Sequence, residues 1–161
     1  MKEQCFFNLK IVSSILMRLI KVKKISYIFI VLISSCGLCT AQSVRHKNQY
    51  GDAYVYADGE TLRTKNQYGD ALYYFDGKTI RQKNEYGDAL YYLDGNIVKI
   101  KNQYGDPLYY FDGKTIKSKN EYGDPLYYVD GNVLKSKNQY GDPLFYFEGL
   151  AEKWLIVCLI R

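Results

Sequence analysis

Residues 47–149 repeat one pattern of apolar and polar positions six times, with a period of 18 residues. A typical copy reads KNQYGDALYYFDGKTIRQ, and the copies start at Lys47, Lys65, Lys83, Lys101, Lys119 and Lys137. Each copy has two runs rich in Tyr, Phe, Ile, Val and Thr, which favour strands. Asp-Gly between two such runs is the strongest short-range signal for a two-residue hairpin turn. The pattern therefore predicts one antiparallel β-hairpin per copy, and the recurring glycines argue against a helix.

The Asp-Gly dipeptide also predicts which residues share a face of the hairpin. If Asp76 and Gly77 are the turn, the opposed pairs are Phe75 with Lys78, Tyr74 with Thr79, Tyr73 with Ile80 and Leu72 with Arg81. Opposed residues lie on the same face. The face of Tyr73, Phe75 and Ile80 is apolar in every copy, so we predict that it forms the core.

The second face keeps one tyrosine in all six copies, which suggests a role beyond packing. We name these residues the outer tyrosine row, and they are the candidate interaction residues: Tyr56, Tyr74, Tyr92, Tyr110, Tyr128 and Tyr146. A ladder of hydrogen bonds between neighbouring hairpins or contact with a ligand would both use their hydroxyls. The tyrosines of the Tyr-Gly-Asp turns are equally uniform.

One hairpin is marginally stable at best, so the copies have to pair edge to edge. The predicted fold is all-β: repeated antiparallel hairpins in a radial, closed or meander array. Alternate copies resemble each other more closely, which indicates either a 36-residue super-unit with hairpins in unlike positions or an accident of copying history. Residues 42–46 are assigned to a short linker. The apolar residues 150–161 are assigned to a C-terminal cap, as strand or helix.

The first 41 residues have the order of a bacterial secretory signal: a basic stretch, an apolar run at 25–33 and a small, polar end. Met17 is the predicted true start. Cleavage after Ala41 would leave Gln42 first, whereas the lipobox-like LISSC would place a lipid anchor on Cys36. We expect export to the periplasm, the cell surface or the medium, with no transmembrane segment once the signal is removed.

Charge and composition exclude several functions. Six of the 22 Lys and Arg and one of the 17 Asp and Glu precede Gln42, which leaves 16 of each and no basic excess for nucleic acid. His46 is the single histidine, so no Ser-His or Cys-His system can repeat along the array. The recurring Asp pairs are explained as turn formers. We predict no enzyme activity, no cofactor and no metal, and Cys158 is predicted to pack as a small apolar residue.

The element KNQYGDPLYYFDGKTI, over residues 47–149, resembles the bacterial secreted proteins described as 4-fold β-flower domains. This resemblance implies a radial or closed arrangement of hairpins, here with six units, and a domain without an established function. YYFDGK also resembles choline- and glucan-binding repeats, but those carry a Trp in each unit, and Trp154 is the only one here. The expected function is a structural or protein-interaction module of the envelope; the alternative is a carbohydrate-binding module using the tyrosine rows.

Overall fold

The computed structural model of the protein describes residues 41–160. The predicted leader, apart from Ala41, and the alternative lipidation residue Cys36 lie outside the described residues.

The twelve strands of the described region form one closed antiparallel barrel in which each strand pairs with its neighbours in sequence. The strands are β1 (Gln42–His46), β2 (Ala53–Asp58), β3 (Thr61–Thr64), β4 (Ala71–Phe75), β5 (Thr79–Gln82), β6 (Ala89–Asp94), β7 (Ile97–Ile100), β8 (Pro107–Asp112), β9 (Thr115–Ser118), β10 (Pro125–Asp130), β11 (Val133–Ser136) and β12 (Pro143–Phe147). A helix, α1 (Lys153–Leu159), follows. The all-β prediction is confirmed, and closure removes every free sheet edge.

Each 18-residue copy contributes one hairpin to the same sheet, so the array has six-fold symmetry. Five tight turns connect the strands of hairpins at one end, which we call the turn end. Six longer loops connect them at the opposite end. The prediction that alternate hairpins occupy unlike positions is therefore wrong: the 36-residue alternation in the sequence has no counterpart in the topology.

Residues 42–46 are a strand and not the predicted linker. β1 pairs with β12 on one side, as in Val44 with Phe147, and with β2 on the other, as in Val44 with Val55. The sixth copy breaks off after one strand, so its hairpin lacks a second strand. β1 supplies that strand from the other end of the domain and closes the barrel.

The predicted hairpin register is wrong by two residues, but the predicted core face of Tyr73, Phe75 and Ile80 is confirmed. Phe75 pairs with Ile80 and Tyr74 with Arg81, which makes Gly77 and Lys78 the turn. Gly77 takes a φ of +96° at the first turn position, while Asp76 lies before it. The Asp76 carboxylate accepts hydrogen bonds from the backbone N–H of Lys78 (3.0 Å) and Thr79 (2.7 Å). A shift of two residues by itself moves no side chain to the other face, because side chains alternate with a period of two.

A β-bulge at every junction between hairpins changes the position of one leucine. Leu62 pairs with Tyr73 and Arg63 with Ala71, so Leu72 has no partner residue. The prediction placed Leu72 on the outer face. It packs instead against the core, as do Leu90, Leu108 and Leu126 at the same position of other copies. Bulges bend the strands and increase their twist, which helps the sheet to close.

The helix α1 fills the interior of the barrel. Eight strands make a barrel that side chains alone can fill, so twelve leave additional space. Five consecutive residues of α1, from Trp154 to Cys158, are buried, as expected for a helix that is apolar all round. The Trp154 ring stacks on Phe75 at 5.3 Å between centroids. The segment assigned to a cap thus completes the core from inside.

Hydrogen bonds at both ends fix the orientation of α1. At its start, the Lys153 ammonium group donates to the Gly95 carbonyl oxygen (3.1 Å) and the Asn96 side-chain oxygen (2.8 Å) at the turn end. At its end, the Tyr109 hydroxyl donates to the Ile160 carbonyl oxygen at 2.8 Å in a buried hydrogen bond. The helix therefore runs from the turn end towards the six long loops.

Candidate interaction rim

The six long loops form one ring at the end of the barrel opposite the turns, and we name this ring the tyrosine rim. It comprises residues 47–52, 65–70, 83–88, 101–106, 119–124 and 137–142, each a Lys-Asn-x-Tyr-Gly-Asp sequence. In all six loops the Asn side-chain oxygen accepts a hydrogen bond from the Tyr backbone N–H, at 2.9 Å or 3.0 Å. The Gly N–H then donates to the Asn carbonyl oxygen, for example Gly105 to Asn102 at 2.9 Å. The repeated sequence thus builds six copies of one rigid loop.

The glycine of each loop is required by close backbone packing. A β-carbon added at Gly105 would lie 1.7 Å from the carbonyl oxygen of Ile100, and the other five loop glycines have equally close neighbours. These carbonyl groups belong to the backbone and cannot move without opening the loop. Glycine here allows the loop to fold back on the preceding strand.

The tyrosines of the rim are the most exposed aromatic side chains of the described region. Their exposed fractions lie between 88 % and 89 %: Tyr50, Tyr68, Tyr86, Tyr104, Tyr122 and Tyr140. Equivalent positions on adjacent loops are two strands apart, or ~10 Å. The rim therefore displays a ring of aromatic side chains that contribute little to the core.

The lysine that begins each loop adopts a backbone conformation that is uncommon for its residue type. Its φ lies between 53° and 61° in all six copies: Lys47, Lys65, Lys83, Lys101, Lys119 and Lys137. This left-handed conformation costs a non-glycine residue roughly 1–2 kcal/mol. These lysines are exposed and their ammonium groups have no hydrogen-bond or ion-pair partner among the described residues. The rim therefore combines six tyrosines with six available positive charges.

The outer tyrosine row, predicted as the interaction surface, lies on the barrel wall and is half-buried. Each of its tyrosines pairs across the hairpin with a cation, as Tyr92 does with Lys99. The Lys99 ammonium group donates to Asp94 at 2.8 Å and to the Gln103 carbonyl oxygen at 3.0 Å. The hydrogen bond from Lys99 lowers the pKa of Asp94. Lys99, Lys117 and Lys135 each tie the turn end of a hairpin to its rim loop in this way, and the tyrosines of the outer row pair beside them.

The predicted ladder of tyrosine hydroxyls between hairpins is not present. Within the outer tyrosine row, Tyr74 alone has a hydroxyl partner among the described residues, donating to the Glu60 carboxylate of the preceding hairpin at 2.7 Å. That hydrogen bond raises the pKa of Tyr74. The structural hydrogen bond that the sequence predicts for the outer row is instead made by the buried hydroxyl of Tyr109, on the core face.

The remaining polar groups of the described region form no recognisable catalytic arrangement. His46 is exposed, with its ring 4.6 Å from that of Tyr54. Cys158 is buried on α1, as predicted. Within residues 41–160, no group of three or more His, Cys, Asp or Glu side chains could hold a metal ion. No helix in this part of the chain is long and apolar enough to cross a membrane.

The barrel consists of six hairpins around one axis, with the six long loops at one end. The family model of the 6-fold beta flower protein matches residues 44–157, from β1 into α1. The chain belongs to the 6-fold beta flower family. The resemblance to 4-fold β-flower domains therefore indicated the correct type of family, and the symmetry is six-fold. No curated protein and no solved structure matches this beta flower protein.

The rim tyrosines are uniform in the sequence, but they were not among the predicted interaction residues. A signal for their exposure is present in the sequence. Each follows Asn by two residues and precedes Gly, so it lies within a side-chain-stabilised turn and has no neighbouring strand to cover it. In the beta flower repeat, a tyrosine two residues after Asn and directly before Gly lies on the rim, whereas the tyrosines of the wall lack these neighbours.

Proposed function

We propose that this beta flower protein is an exported, non-catalytic interaction module that presents the tyrosine rim to a protein partner in the bacterial envelope. The observation that carries the proposal is the exposure of one tyrosine per copy, close to 90 % in all six. Aromatic side chains are enriched at protein interfaces and bury a large area with little loss of side-chain freedom. A symmetric ring offers a partner several equivalent contacts at once.

The strained lysines support the same surface. Asn adopts the left-handed conformation at lower cost than Lys, yet Lys occupies this position in every loop. The backbone N–H of each of these lysines donates to a carbonyl oxygen of a neighbouring strand, for example Lys101 to Leu90 at 2.9 Å, so the loop geometry requires the conformation but not the lysine side chain. We infer that the charge is retained for the partner, beside the tyrosine.

Export is part of the proposal and rests on the leader pattern. Both candidate processing sites precede β1, so either would leave all twelve strands intact. We expect mass spectrometry of the protein from its host to find Gln42 or a lipidated Cys36 as the N-terminus. A stable product that still begins at Met1 or Met17 would contradict export.

Photo-cross-linking in the host tests the rim directly. A photoreactive phenylalanine analogue at position 104 should cross-link to one reproducible protein, because Tyr104 is 88 % exposed. The matched control places the analogue at position 110, on the half-buried outer row, where we expect little product. Replacing the other five rim tyrosines with serine should abolish the cross-link at 104. Equal products from both positions would show that the rim is not the interaction surface.

Carbohydrate binding is the second candidate, favoured by the regular spacing of the loops that carry the exposed tyrosines, which are two strands or ~10 Å apart. Sugar rings stack on exposed aromatic faces, and a linear polysaccharide could contact more than one loop. Affinity electrophoresis in gels containing envelope polysaccharide distinguishes the two candidates. Retention that disappears in the Tyr→Ser rim variant, without a protein cross-link, would favour the carbohydrate.

A further inference from the structure

A cavity of about 390 Å³ lies between the end of α1 and the strands β2 to β4. Val55, Leu62 and Leu72 line it on the barrel wall, and Cys158 and Leu159 line it on the helix. Its volume falls within the range of small-molecule sites, ~300–1,000 Å³. The cavity is distinct from the exposed side chains of the tyrosine rim.

The sequence explains why the cavity lies in this part of a six-fold barrel. Val55 occupies the core position that is Tyr73, Tyr91, Tyr109 and Tyr127 in the next four copies, and Phe145 in the last. Val55 is 3 % exposed and borders the cavity. The smaller side chain lets this cavity reach α1, whereas the cavity at the equivalent place three copies later, where Tyr109 stands, is lined by no residue of the helix.

The lining indicates the chemistry of the ligand. No lining residue carries a charge, and burying an unpaired charge is costly, so the ligand is uncharged. Tyr54 and Tyr73 contribute aromatic surface. The Thr64 hydroxyl accepts a hydrogen bond from the Asp70 N–H at 3.0 Å, which leaves its own proton to donate to an acceptor on the ligand.

We propose that this cavity is a binding site for a small, uncharged aromatic molecule that carries a hydrogen-bond acceptor such as a carbonyl group. The ring occupies the space next to Val55, where the other copies place their own aromatic side chain. The acceptor lies towards Thr64. This site does not depend on the proposed function of the rim.

Acetophenone and benzoate, titrated into the full-length protein by nuclear magnetic resonance, test the proposal. The two probes have similar shape, but benzoate is anionic. We expect acetophenone to bind at one site per chain and benzoate to bind about tenfold more weakly or worse. The absence of saturable acetophenone binding, or equal binding of the two probes, would overturn the proposal.

Val55→Tyr is the decisive variant because it restores the residue found in four other copies and fills the cavity. We expect acetophenone affinity to fall about tenfold or more while the circular dichroism spectrum is unchanged. The matched control is Leu93→Phe, which also restores a common aromatic residue, at a position that does not line the cavity. If Val55→Tyr does not fold, Val55→Phe takes its place, as Phe145 occupies this position in the last copy. Unchanged acetophenone binding in a folded Val55 variant would refute the assignment of the site.

Discussion

Two neighbouring tyrosines on β8 provide the sharpest test of the fold, because one points into the barrel and the other outwards. Tyr109 is 8 % exposed and its hydroxyl donates to the Ile160 carbonyl oxygen at 2.8 Å. Tyr110 is half-buried, and its hydroxyl has no protein partner among the described residues. Replacing each with phenylalanine removes one oxygen atom and changes little else.

The expected costs differ because only one substitution leaves a buried group unsatisfied. Tyr109→Phe leaves the Ile160 carbonyl oxygen without its hydrogen-bond donor. This should lower the free energy of unfolding by ~1–3 kcal/mol. Tyr110→Phe should change it by less than ~0.5 kcal/mol, as for most surface substitutions. The sequence alone predicts the opposite order, since uniform tyrosines suggested a hydroxyl ladder on the outer row.

Denaturant unfolding followed by circular dichroism measures both values under the same conditions. Burial also raises the pKa of Tyr109, so the folded protein binds this proton more tightly than the unfolded chain. The stability that this proton contributes is fully present below pH ~10, the ordinary tyrosine pKa. It is lost as the pH rises through the raised pKa of Tyr109 in the folded protein. Wild type should therefore lose stability above about pH 10 more steeply than Tyr109→Phe. A larger loss at Tyr110 than at Tyr109 would refute the position of α1 inside the barrel.

Further predictions concern the loops and turns. Gly105→Ala should destabilise by ~3 kcal/mol or more, because its β-carbon meets a backbone carbonyl group. Gly113→Ala, in open space with a φ of +59°, should cost only ~1–2 kcal/mol; equal losses in denaturant unfolding would contradict the loop geometry. Lys101→Asn should stabilise by ~0.5–1 kcal/mol by relieving the left-handed lysine, and a lower melting temperature would show that no strain is present. The hydrogen bond from Lys135 lowers the pKa of Asp130. The pair therefore stabilises the fold above about pH 4, the ordinary pKa of Asp, and this stabilisation is lost as the pH falls through the lowered pKa of Asp130. Lys135→Gln should therefore melt below wild type at neutral pH, and this difference should shrink in acid; a constant difference would exclude the ion pair as its cause.

The local structure of one repeat could be predicted from the sequence. Strand-forming residues separated by Asp-Gly specify a hairpin, and alternation with a period of two specifies its faces. Tyr73 and Ile80 were correctly placed in the core although their pairing was not, because an error of two residues preserves alternation. The exact register depends on the turn, where the Asp76 carboxylate and the positive φ of Gly77 place the loop one residue later than the dipeptide suggests.

Closure, the interior helix and the exposure of individual tyrosines were decided only by the tertiary structure. Gln42–His46 becomes a strand because the last hairpin lacks its second strand. The residues near Gln42 in sequence give no sign of this pairing. The apolar α1 becomes a central helix because twelve strands enclose more space than their own side chains fill. Tyr104, Tyr109 and Tyr110 are the same residue type within one copy, yet one is exposed, one is buried and one is half-buried. Sequence determines the repeating unit through local interactions, whereas the surroundings of each side chain are set by contacts between units distant along the chain.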